Sequence, residues 1–138
     1  MNLSVKVRGL DKVIANVSAL NGKLLVGVAE DIKQTGEEIA ADAKGTLSKG
    51  HGVDTGAYQK SIKSKFNESA PSARIAGWHK GRPHPLGHLI ELGTDPHEIG
   101  DNGGKHPGTD PIPHLEPAFQ KGAASLEGRL KNTIRRLA

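Results

Sequence analysis

The chain is 138 residues long, 35% hydrophobic and only 3% aromatic, with a net charge of +4 and a pI near 9.4. That length predicts one domain over residues 1–138 with a thin core, and the lack of cysteine excludes both a disulfide framework and a thiolate metal site. No run approaches the roughly 18 apolar residues that span a bilayer and the N-terminus lacks a signal-peptide pattern, so a soluble, non-exported protein without membrane contact is expected.

Leu3, Val5 and Val7 alternate with Ser4, Lys6 and Arg8, the period-two pattern of a half-buried strand that Gly9 ends. Asp11 is a candidate N-cap. Beyond it Ile14, Val17, Leu20, Leu24, Val28, Ile32, Ile39, Ala43 and Leu47 recur at three- and four-residue spacing along one helix face. Unbroken from Asp11 to Ser48, that helix would be about 55 Å long, more than so small a domain can bury on itself. Gly22, Gly27 and Gly36 each cost up to about 1 kcal/mol in a helix interior, which makes Asn21-Gly22 the candidate break. Gly45, Gly50 and Gly52 are expected to close the helical region. In the following Asp54-Thr55-Gly56 turn, the Asp and Thr side chains bond nearby backbone and Gly56 takes a positive φ.

Ile62 to Phe66 and Ala73 to Trp78 read as two strands joined by a polar turn from Asn67 to Ser72. Leu86, Leu89 and Ile90 predict a short helix entered after Pro85, with Gly93 as its C-terminal cap. Residues 95–111 hold almost nothing apolar except Ile99 and are expected to be a long loop. Leu115, Phe119, Ala123, Leu126, Leu130, Ile134 and Leu137 form the stripe of a final helix over 114–137, with Pro117 near its first turn. The order predicts an α+β domain in which a long N-terminal helix and a C-terminal helix pack on a small antiparallel sheet, with a long Gly/Pro/His loop. A core this poor is marginal in a monomer, and burial against copies of itself would offset the shortfall.

Charge is unevenly placed. Lys60, Lys63, Lys65, Arg74, Lys80 and Arg82 face only Glu68 in their stretch, and Arg129, Lys131, Arg135 and Arg136 hold no acid among them. The C-terminal group complements a helix macrodipole. The first is a candidate for non-specific contact with a DNA backbone, although one Trp, one Tyr and two Phe supply no stacking platform.

Two catalytic readings compete with a structural one. Val53-Asp54-Thr55-Gly56-Ala57 matches the aspartic-protease tripeptide, in which two carboxylates share a proton, but such enzymes are almost entirely β. His84, His88 and Glu91 fall at four- and three-residue spacing and would offer two nitrogens and an oxygen to zinc or nickel, yet Pro85 places His84 at or before the helix start. The remaining histidines, His79, His97, His106 and His114, sit at no ligand-like interval and read as solvated loop and interface side chains. No nucleophile elbow stands at Ser61 or Ser64, and no phosphate loop is present. These residues predict no cofactor, no resident metal and no enzyme activity.

Three blocks in order carry a resemblance: Val53-Asp54-Thr55-Gly56-Ala57-Tyr58-Gln59-Lys60-Ser61-Ile62, Glu91-Leu92-Gly93-Thr94, and Pro113-His114-Leu115-Glu116-Pro117-Ala118-Phe119. Together the chain resembles the tailed-bacteriophage minor tail components, also called tail-completion or head-tail joining proteins, over most of its length. It departs from them in carrying Leu89 or Ile90 and His114 where that family has aromatics, and in a longer segment 95–111. The resemblance implies a structural virion protein, assembled in the host cytoplasm. It implies a homo-oligomeric ring, a hexamer by preference, at the head-proximal end of the tail. Tail-tube, tail-terminator or head-connector proteins are its implied partners. Asp54, Thr55, Gly56, Ser61, Glu91, Gly93, Thr94, Pro113 and Pro117 then become turn and interface residues. Glu91 either pairs with a basic residue of a neighbouring subunit or is solvated, and His97 and His106 are expected to contact a partner.

Overall fold

In the computed structural model, residues 21–48, 56–101 and 103–137 are described. The predicted strand at Leu3–Val7, the Asp11 cap, the helix face before Asn21, and Asp54 and Thr55 lie outside them. Helix α1 (Asn21–Ser48) is followed by a short α2 (Ala57–Ser61) and three antiparallel strands: β1 (Ile62–Asn67), β2 (Ser72–His79) and β3 (Arg82–Pro83). Next come α3 (Leu86–Leu92), a hairpin of β4 (His97–Ile99) and β5 (Gly104–His106), and α4 (Leu115–Leu137). The fold is α+β: the long helix packs on a small antiparallel sheet, and the C-terminal helix packs against the long helix.

Helix α1 runs for 28 residues, about 42 Å at 1.5 Å per residue. Its predicted face holds: Ile39, Ala43 and Leu47 are buried, and Leu24, Val28 and Ile32 are half-buried. Gly45 does not close it, since the helix continues to Ser48. Gly36 is kept because a Cβ there would run into the side chains of Ser64 and Ala73 on the sheet, so its cost of about 1 kcal/mol in helix propensity accompanies a close helix-on-sheet approach.

The predicted β1–β2 hairpin is present, its register running from Ile62 opposite Gly77 to Asn67 opposite Ser72. Asn67 Oδ1 accepts the N–H groups of Ser69 and Ala70, closing the polar turn. A third strand was not expected. It arises because Lys80 and Gly81 both take positive φ (49° and 76°), the conformation a two-residue hairpin needs, pairing His79 with Arg82. Ile39, Ala40, Ala43, Leu47, Tyr58, Ile62 and Ala118 form the core, flanked by Ile75, Ile90, Ile112 and Leu115.

Two expectations are corrected. Segment 95–111 is not a structureless loop: His97 pairs with His106, Glu98 with Lys105 and Ile99 with Gly104, and a Thr94–Thr109 bridge closes the base. Backbone pairing, with glycines at positive φ at Gly100 and Gly103, builds a hairpin that needs no apolar core. Helix α4 has the predicted extent, and Leu115, Leu126, Leu130 and Leu137 of the predicted stripe are half-buried, but its most buried positions lie off that stripe. Ala118, Gly122 and Thr133 are buried, whereas Phe119 and Ile134 from the apolar stripe are 59% and 50% exposed. The buried seam lies about a quarter turn from the stripe. Its small side chains let α4 approach α1, where a Cβ on Gly122 would overlap Ile39. Polar bonds line the same seam: Thr133 Oγ1 donates to Asp31, and Arg129 donates to Thr35 Oγ1 at 2.8 Å and to Glu38.

Candidate functional site

The three sequence blocks converge. Tyr58 is presented by α2, Glu91 by the last turn of α3, and His114 by the residue before α4. The Tyr58 hydroxyl lies 2.8 Å from His114 Nε2, and His114 Nδ1 lies 2.8 Å from both Glu91 Oε2 and the Ile112 carbonyl oxygen. Because Nδ1 faces two acceptors it carries the ring proton, so in the neutral ring Nε2 accepts from the Tyr58 hydroxyl. His114 is fully buried and Tyr58 is 8% exposed.

Glu91 does more than hold His114. Its Oε2 accepts the backbone N–H of His114 at 2.9 Å and of Leu115 at 3.0 Å, and its Oε1 accepts that of Glu116 at 3.0 Å. A helix begins with four N–H groups that lack intrahelical partners. Here Glu91 takes three, and the fourth position is Pro117, which has none. One carboxylate therefore satisfies the start of α4 and places a negative charge at the positive end of its dipole. Burial raises the Glu91 carboxyl, but the three backbone donors and the His114 ring outweigh it and hold it below its ordinary value. Burial, and secondarily the charge of Glu91, pushes the Tyr58 hydroxyl up from 10.0 to about 12.

The neighbouring block residues brace this arrangement. Gly93 takes φ 73°, and a Cβ there would stand 2.5 Å from the Thr109 carbonyl oxygen and 2.8 Å from Pro111 N. Thr94 exchanges backbone bonds with Thr109 at 2.9 and 3.0 Å, and their hydroxyls lie 3.1 Å apart. Gly56 takes the positive φ expected of it (71°) at the start of α2, and its carbonyl accepts the N–H of Lys60. Ser61 Oγ donates to the Tyr58 carbonyl at 2.6 Å, a local bond within α2. Pro113 is exposed and precedes His114, delivering an extended entry to α4.

Several expectations for these side chains are corrected. Glu91 is neither solvated nor free for a neighbouring subunit, since its own chain occupies both oxygens. Thr94, expected as a turn or interface residue, bonds across to Thr109 of its own chain. His114 is a buried network member and not a solvated interface side chain. The metal alternative loses its geometry: His84 Nδ1 accepts the Leu86 N–H at 3.1 Å, and Glu91 is engaged at α4. Among the described residues no three His, Asp or Glu side chains gather as ligands. His97 and His106 stack on one another across the hairpin, with ring centroids 5.0 Å apart. They line a groove of about 600 Å³ with Leu86, Leu89, Ile90 and Ile112.

Tyr58, His114 and Thr109 were not singled out as site residues. The available signal was the position of Tyr58 and His114 inside the first and third blocks, where a lone Tyr and a His in place of an aromatic mark side chains with a polar atom to satisfy. Comparisons with protein-family profiles, curated proteins and solved structures found no match. Among the described residues no helix is long and apolar enough to cross a membrane.

Proposed function

We propose that the chain is a structural virion protein of a tailed phage or prophage, a tail-completion and head-tail joining protein that forms a homo-oligomeric ring at the neck. The observation that carries this reading is the convergence of the three blocks on the Tyr58–His114–Glu91 network. Each polar group there is spent on architecture. Glu91 starts α4, His114 is sealed from solvent, and Tyr58 bonds to it. A reaction centre would need these groups facing a cleft. The exposed apolar side chains Leu92, Ile99, Phe119 and Ile134 supply surface for assembly, as a chain with so thin a core requires.

The test is particle assembly. Phage lacking this protein is expected to accumulate separate heads and tails, and purified protein added to that lysate is expected to restore infectious particles. Immunogold labelling should fall at the neck. Normal particle yield without the protein, or turnover of a peptide or nucleic-acid substrate that Asp54→Asn abolishes, would overturn the reading.

A further inference from the structure

The solvent face of the sheet is basic, and no ion pair among the described residues balances it. Ser64, Phe66, Ala73 and Ile75 turn towards α1, so Lys63, Lys65, Arg74 and Trp78 occupy the opposite face by strand alternation. Lys65 and Arg74 are direct cross-strand partners, an arrangement of like charges that destabilises a sheet. Both lie over the Trp78 ring, with Lys65 Nζ 3.7 Å and Arg74 Cζ 5.6 Å from its centroid, and Trp78 Nε1 is fixed to the Lys63 carbonyl at 2.9 Å. Among the described residues, Lys63, Lys65, Arg74, Lys80 and Arg82 take part in no ion pair. Two basic groups held side by side on an aromatic ring are a preformed receiver for carboxylates.

The complementary element is on the same chain. The β4–β5 hairpin and its base expose Asp95, Glu98, Asp101 and Asp110 against the single Lys105. Among the described residues neither strand packs extensively against another element, and Ile99 near its tip is 54% exposed. A two-stranded hairpin alone is marginally stable in water, so an acidic, apolar-tipped arm of this kind gains by docking.

We infer that the acidic β4–β5 arm of one copy docks on the basic Lys65–Trp78–Arg74 face of the next copy. This deepens the ring reading above and rests on it. The two surfaces share no residue, so the contact is head-to-tail, the type that closes into a ring when the rotation between copies permits. Opposite charges fix the register of the encounter, and Ile99 against Trp78 supplies the apolar anchor.

The experiment is a charge exchange read by sedimentation velocity. Lys65→Glu/Arg74→Glu and Asp95→Lys/Asp101→Lys change exposed side chains only, and circular dichroism identical to wild type should verify folding. Each variant alone is expected to lose the high-mass species, because both of its surfaces then carry one sign. An equimolar mixture is expected to recover it, since the acidic arm of the first variant meets the basic face of the second and the reversed pair also matches. Wild-type association should weaken with added salt. Association retained by either variant, a mixture that stays monomeric, or a monomeric wild type would overturn the inference. So would a single-stranded oligonucleotide whose binding is lost in Lys65→Glu/Arg74→Glu while association is unchanged, which would make the face a nucleic-acid surface. A wild type that assembles through other residues sinks this contact and leaves the neck reading to particle assembly.

Discussion

Glu91 Oε2 stands 2.8 Å from His114 Nδ1 and 2.9 Å from the backbone nitrogen of the same residue, so one carboxylate oxygen fixes both the ring and the chain direction at the entry to α4. The two residues are 23 positions apart, and the β4–β5 hairpin lies between them. The pair therefore clamps the two ends of the segment that carries the arm, and the Thr94–Thr109 bridge closes the arm's base inside that clamp.

Glu91→Gln should expose that role. The amide keeps one acceptor oxygen but points N–H donors at backbone N–H groups, so a loss of about 1 to 3 kcal/mol is expected, seen as a melting temperature lower by several degrees. The pH dependence has a definite sign. A carboxyl held below its ordinary value of 4.5 contributes stability that is present above that pH and is lost as pH falls through the folded-state value. Wild type should lose stability below about pH 4.5 more steeply than Glu91→Gln, and parallel acid limbs in the two denaturation profiles would contradict this.

Tyr58→Phe tests the other end of the network. It leaves His114 Nε2 buried without its donor, and a cost of about 1 to 3 kcal/mol follows. Wild-type Tyr58 is pushed up from 10.0 to about 12, so the unfolded chain loses its phenolic proton first and stability falls as pH rises above 10. In Tyr58→Phe that alkaline component should disappear, as measured by urea denaturation at pH 8 to 11.

The sequence made much of this legible, and its failures have physical causes. Ile62–Asn67 paired with Ser72–His79 was readable because alternation and turn chemistry are local, as was Leu86–Leu92 between Pro85 and Gly93. The hairpin at His97–His106 was hidden because its strands are exposed except for half-buried His106, so no alternation marks them. The buried face of α4 was only partly legible: apolar spacing found half-buried Leu115, Leu126, Leu130 and Leu137 but also pointed to exposed Phe119 and Ile134, while close packing selects Ala118, Gly122 and Thr133 for their size. At the site, Glu91, Gly93, Thr94 and Pro117 stood out as motif residues. That Glu91 would serve backbone groups of 114–116 depends on where α3 and α4 meet, which no local pattern encodes.

Two glycines of α4 should respond with opposite signs. A Cβ on Gly128 meets open space, so Gly128→Ala should stabilise by up to about 1 kcal/mol through helix propensity alone. A Cβ on Gly122 overlaps buried Ile39, so Gly122→Ala should destabilise by about 1 to 3 kcal/mol despite the same propensity gain. Equal shifts in melting temperature would mean that α4 does not lie against Ile39.

The rotation of α4 makes its sharpest test at adjacent residues. Thr133 is 4% exposed and its hydroxyl donates to Asp31 on α1, whereas Ile134 is half exposed and belongs to the apolar stripe that sequence periodicity would bury. If the stripe were the packed face, Ile134→Ala would cost about 2 to 5 kcal/mol and Thr133→Ala little. The small polar seam reverses the order: Thr133→Ala should cost about 1 kcal/mol through the lost bond, and Ile134→Ala should stay within about 0.5 kcal/mol in the isolated subunit. Chemical denaturation of the two variants decides between the faces. Ile134→Ala should then show its effect only in the assembled form, where the exposed stripe with Phe119 and Ile134 offers apolar surface that a neighbour covers, and unchanged association in that variant would leave the stripe as plain solvent-facing surface.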